Sequence, residues 1–94
     1  MIKHVIMWKF KPGAESEMHR FLDGLRALQG QIPQIVDMEI GVNENPDNNF
    51  DATLIATFRS REDLETYKHD PRHVAVSLLC KAIRTERGAV DFTC

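Results

Sequence analysis

Cysteine is scarce in this 94-residue chain: there are two, Cys80 and Cys94, with neither the spacing of a metal knuckle nor that of a redox pair. That excludes a disulfide framework, and reduced thiols are expected. Long apolar runs are missing too. Lys3, His4 and Lys9 interrupt the opening segment, so it reads as neither signal peptide nor spanning helix, and the cytoplasm is the expected compartment. There is no block of Lys and Arg interleaved with aromatics, and 12 basic residues face 14 acidic ones for a net charge of −2. Nothing in such a field recruits nucleic acid or an anionic membrane. Repeats, linkers and low-complexity stretches are also absent. What remains is an ordinary globular composition, 43% apolar and 28% charged, which excludes a disordered chain. Its length fits one small domain over residues 1–94.

From Ile2 to Phe10 the residues alternate. Ile2, His4, Ile6, Trp8 and Phe10 share one face, while Lys3, Val5, Met7 and Lys9 share the other. Both faces carry apolar residues, which predicts a strand covered on two sides. Pro12-Gly13 breaks the run, and Met18, Phe21, Leu22, Leu25 and Leu28 follow at helical spacing until Gly30 and Pro33. Val36, Met38, Ile40 and Val42 alternate as a second strand, the segment Asn43 to Asn49 is turn chemistry, and Ala52 to Phe58 is a third strand. So short a loop makes the second and third strands antiparallel. Ser60 is a natural N-cap for a helix from Arg61 to about Lys68. Asp70-Pro71 ends it and starts another helix near Pro71. Gly88 precedes a last strand, Ala89 to Thr93.

This order predicts an α+β, ferredoxin-like fold: a four-stranded antiparallel sheet with its helices on one face. The other face, carrying Val5 and Met7, would be sticky in water, so a second copy is expected to cover it. Two such sheets face to face form a dimeric α+β barrel.

Tyr67-Lys68-His69-Asp70-Pro71-Arg72-His73 sets a phenol and an imidazole on either side of the Asp-Pro break. Imidazole titrates near neutrality and takes a proton from carbon next to a carbonyl, while a phenol hydrogen-bonds the developing oxyanion. The same residues also have structural uses. Tyr67 can pack its ring in the core with its hydroxyl on backbone, His73 can fix the corner, and His4 can be a satisfied buried histidine. His19 reads as a plain surface residue. Pro71 between His69 and His73 spoils their i, i+4 spacing for metal, so no side-chain metal site and no other cofactor is expected, while a metal held by backbone carbonyls alone would leave no mark on the side chains.

Together, Ile2-Lys3-His4, Lys9-Phe10-Lys11, Ile32-Pro33, Gly41, Phe58 with Ser60, Tyr67 with Pro71 and His73, and Val90-Asp91-Phe92 resemble the stress-responsive A/B barrel (Dabb) family almost end to end. The resemblance implies the dimeric barrel, with a homodimer as the expected assembly. It also implies a small pocket between sheet and helices in each subunit, here walled by His4, Ile6, Trp8, Phe21 and Leu25. Members mostly lack a known reaction. One plant relative, olivetolic acid cyclase, closes a polyketide ring without a cofactor, and its proposed acid–base histidine and tyrosine fall on His73 and Tyr67. A third polar pocket residue falls on His4. The chain departs from that relative at Lys68 and His69 in place of apolar residues, at Leu22 and Leu25 in place of aromatic rings, and at Arg87 in place of an aliphatic pocket residue. It also has Asp70 where the usual family motif has a first histidine, so a pocket for a long aromatic polyketide is not expected. Two functional readings follow: a binding barrel for a small apolar or aromatic ligand, or a cofactor-free cyclase or isomerase with His73 as base and Tyr67 as acid.

Overall fold

The computed structural model describes residues 1–94 in the order β1 (Ile2–Phe10), α1 (Glu15–Leu28), β2 (Asp37–Val42), β3 (Ala52–Phe58), α2 (Arg61–His69), α3 (Pro71–Ile83) and β4 (Arg84–Thr93). The strands form one sheet in the order β2-β3-β1-β4, with every neighbouring pair antiparallel. This is the ferredoxin-like α+β arrangement. Each crossover helix skips one strand position, which brings the last strand alongside the first.

Burial follows the alternation. His4, Ile6, Trp8 and Phe10 of β1 are buried, as are Ala52, Leu54, Ala56 and Phe58 of β3, and together they meet Met18, Phe21, Leu22, Leu25 and Leu28 of α1. Trp8 and Phe21 meet edge to face, with ring centroids 5.0 Å apart. Gly30 closes α1 with a φ of 94°, a left-handed conformation that costs other residues strain. Ser60 caps α2 by accepting a 3.1 Å hydrogen bond from the Asp63 N–H. At the next corner Asp70 accepts from the Arg72 N–H at 2.9 Å, and Pro71 occupies the first position of α3. The Arg72 side chain also donates to Asp70, which lowers that carboxyl to about 2.

Two features differ from the sequence pattern. β4 begins at Arg84, directly out of α3, instead of after Gly88. Arg84, Thr85, Glu86 and Arg87 show no apolar alternation because they form an edge strand, yet they pair with β1 as far as Phe10, with a register shift between Lys9 and Phe10. β2, the other edge, buries its inner face only partly at Met38 and Ile40, and leaves Val42 exposed.

Helix α3 packs on α1 and α2. Its approach to α1 is close at Gly24, where a methyl group would sit 3.2 Å from the Val76 side chain. The sheet face away from the helices keeps its apolar residues in water: Met7 is 40% exposed, Val90 59% and Phe92 46%.

Candidate functional site

Between α3 and the inner faces of β1 and β4 lies a cavity of about 380 Å³. β1 contributes His4, Ile6 and Trp8 to its wall, α1 Phe21 and Leu25, and the α2–α3 corner Tyr67 and His73. These are the seven residues singled out from sequence, and the fold brings all of them to one compartment. The residues that local pattern did not flag are Leu54, Lys68, Val74, Ser77, Cys80, Lys81, Arg84 and Arg87.

His4 is buried in the middle of the sheet face that meets the helices. Directly across the strand pair stands Asp91 of β4, whose Oδ1 lies 2.5 Å from His4 Nδ1. The ionised carboxylate only accepts, so His4 Nδ1–H donates and the neutral ring carries its lone pair on Nε2. Burial lowers the His4 pKa and outweighs the pull of Asp91, with Lys68 and Arg87 adding to the lowering. Burial pushes the Asp91 carboxyl up, but the hydrogen bond and charge of His4, with Lys68 and Arg61, bring it below its ordinary value. His4 thus has the partner a buried histidine needs. Asp91 was legible as an acid within the apolar run Ala89 to Phe92, on a strand that the topology lays beside β1.

His73 makes the analogous arrangement on backbone. Its Nδ1–H donates to the Lys68 carbonyl at 3.1 Å, across the Asp70-Pro71 corner, and again leaves Nε2 as the lone-pair nitrogen. Burial is the main cause of its lowered pKa, helped by His4 and Arg87.

Tyr67 lies fully buried between two rings, 5.0 Å from Phe58 and 4.3 Å from His73 by centroid. Packing was one expected use of the residue, but a hydroxyl bonded to backbone was expected with it. The hydroxyl has no hydrogen-bond partner in the protein. Burial holds the phenol well above its ordinary pKa, so it remains a donor. His69 is exposed and bonds the Glu65 carbonyl at 2.8 Å, and His19 is exposed. No group of three or more His, Cys, Asp and Glu is placed to hold a metal ion. Cys80 is buried and free; Cys94 is exposed and free. No helix is long and apolar enough to cross a membrane.

The two lowered imidazoles fix a pH response. Unfolded histidine takes up its proton near 6.5 while the folded chain resists doing so, so stability is full above about 6.5 and falls as the pH drops below it. The melting temperature is expected to decline between pH 7 and pH 5, and the decline to flatten in a His4→Asn/His73→Asn variant. A wild-type curve that is level over that range would contradict the assignment.

The sequence matches the family model described as the stress responsive A/B barrel domain over residues 2–94. No curated protein matches it at a significant level. Among solved structures, a dimeric ferredoxin-like protein of unknown function from Bacteroides fragilis superposes with a TM-score of 0.93 at 26% identity, covering 99% of this chain and 95% of that one. A dimeric ferredoxin-like protein of unknown function from Thermobifida fusca superposes at 0.89 with 19% identity, covering 99% and 90%. The hydroxynitrile lyase of Passiflora edulis superposes at 0.85 with 13% identity, covering 97% and 90%. The last two are similar in fold. The chain belongs to the stress-responsive A/B barrel domain family.

Proposed function

We propose that this chain pairs as a homodimer, and that the cavity of each subunit binds a small, largely apolar carbonyl compound and moves a proton on it without a cofactor. One observation carries the chemical half: the buried Tyr67 hydroxyl has no partner in the wall it shares with two imidazoles that are neutral at pH 7. A buried hydroxyl left without a partner costs roughly 1–3 kcal/mol, and a ligand oxygen would remove that cost.

His4 is the better base of the two. The imidazolium it forms stays hydrogen-bonded to the Asp91 carboxylate, whereas that of His73 is bonded to a neutral carbonyl and has the charge of Asp70 in its favour without a hydrogen bond to it; Arg87 opposes both. This transfers to His4 the role that the family resemblance implied for His73. In this reading His4 Nε2 removes a proton from the carbon beside the carbonyl, and Tyr67 O–H donates to the enolate oxygen. The imidazolium then returns a proton, the one it took or one exchanged with solvent, to the same carbon or a conjugate one. His73, packed at a tilt against Tyr67, holds the phenol in place.

The tilted packing of Phe58, Tyr67 and His73 also favours a second reading, a binding barrel in which Tyr67 and His73 only pack. Exchange of the α-protons of benzylacetone in deuterated buffer, followed by proton NMR, separates the two. The protein is expected to accelerate exchange, and folded His4→Asn and Tyr67→Phe variants each to lose on the order of 10²-fold. Exchange no faster than in buffer alone would leave the binding reading. The pairing draws on the exposed apolar sheet face and on the dimeric Bacteroides fragilis relative.

A further inference from the structure

We propose that the ligand is an amphipathic monocarboxylate, its apolar body lying over Ile6, Trp8 and Phe21 and its carboxylate held by Arg84 and Arg87 with Lys81 at the mouth. The inference rests on reading the cavity as a ligand site and adds the class of molecule. The chain as a whole has more acidic than basic residues, yet no acid lines this cavity, whereas Lys68, Lys81, Arg84 and Arg87 do. The nearby acids are already engaged: Asp91 with His4, and Glu65 with Lys68 at 3.6 Å. Lys81, Arg84 and Arg87 form no ion pair, in contrast to Arg72, which is locked on Asp70.

A run of cations is ordinarily a solvated outer face. Arg87 is exposed, but it stands opposite Trp8 in the strand register and shares with Asp91 the side of β4 that faces the helices, so it borders the cavity and not the outer face of the sheet. Its charge is felt at His4, His73 and Cys80, and that of Arg84 at Cys80, so both guanidinium groups point their field into the compartment. Three unpaired like charges around one opening repel each other until an anion joins them. Two planar guanidinium forks suit the two oxygens of a carboxylate. The wall behind them is apolar and aromatic, which suits the rest of such a molecule.

Trp8 is the only tryptophan and lines the cavity, so its fluorescence reports occupancy. The test is a titration with 4-phenylbutanoate and with its neutral isostere 4-phenylbutanamide. The acid is expected to bind at least about tenfold more tightly, the worth of one charge-assisted contact. Arg87→Gln and Arg84→Gln should each remove about that factor for the acid and leave the amide unchanged, while Arg87→Lys restores part of it. Melting curves establish that the variants are folded. Equal affinity for acid and amide, or an acid affinity indifferent to both Gln variants, overturns the inference while leaving the cavity a ligand site. A Trp8 signal that responds to neither compound overturns both.

Discussion

Truncating Tyr67 to alanine is expected to cost about 3–5 kcal/mol, the range for deleting a large buried ring, and to leave the chain largely unfolded at 37 °C. The ring is wholly buried between Phe58 and His73, so nothing nearby can relax into the space without breaking both aromatic contacts. Tyr67→Phe should do the opposite. It keeps the ring and removes a hydroxyl with no partner, so a gain of about 1 kcal/mol or more is expected, about 4–8 °C in melting temperature at this length. Urea denaturation of the three proteins measures both effects. Had the hydroxyl been bonded to backbone, as one sequence reading had it, Phe would lose about 1 kcal/mol instead. A loss of that size would mean the oxygen is satisfied, and would take away the observation on which the proton-transfer reading rests. Stability gained together with ligand lost would mark the hydroxyl as kept for function at the expense of stability.

Much of this fold is legible in the chain because local pattern and tertiary packing agree. β1 and β3 alternate, α1 repeats at helical spacing, and Ser60 and Asp70 stand where their caps form. The first half of β4 is not legible. Arg84 to Arg87 lie on an edge where one side sees water, so no apolar signal survives, and only pairing with β1 makes them a strand. The same residues bring Arg84 and Arg87 to the cavity; the family resemblance alone placed Arg87 at a pocket position, and no local pattern pointed to Arg84. The aromatic and aliphatic lining could be read from sequence, since a residue inside an amphipathic element announces its face. The His4–Asp91 contact could not: the two are 87 residues apart, and their meeting depends on register across a sheet edge. Nor could a buried hydroxyl without a partner be read, since a lack of neighbours leaves no mark on the residue itself.

Met7→Glu is expected to abolish the homodimer. Met7 projects from the centre of the uncovered sheet face, with Thr53 and Gly88 directly beside it on the neighbouring strands. Val5 and Ile55 form the next row, and Val90 and Phe92 extend the apolar surface along β4. No helix of the chain reaches this face, and two copies placed sheet to sheet would bury it twice over. Glutamate at Met7 would then enter the dry middle of the interface once from each subunit. Each buried, unpaired carboxylate costs several kcal/mol, so the dissociation constant should rise by on the order of 10³-fold or more. Light scattering at micromolar concentration should show the wild type at twice the chain mass and the variant at the chain mass or unfolded. His19→Glu, on the exposed side of α1, adds a similar charge away from the sheet and should leave the dimer intact. A wild type that is folded and monomeric, or a Met7→Glu protein that still pairs, would remove the sheet face as the interface. If the variant is instead a folded monomer, the cavity can be tested in it alone. Its lining comes from β1, β3, α1, α2, α3 and β4 of a single chain, so binding of 4-phenylbutanoate should survive dissociation.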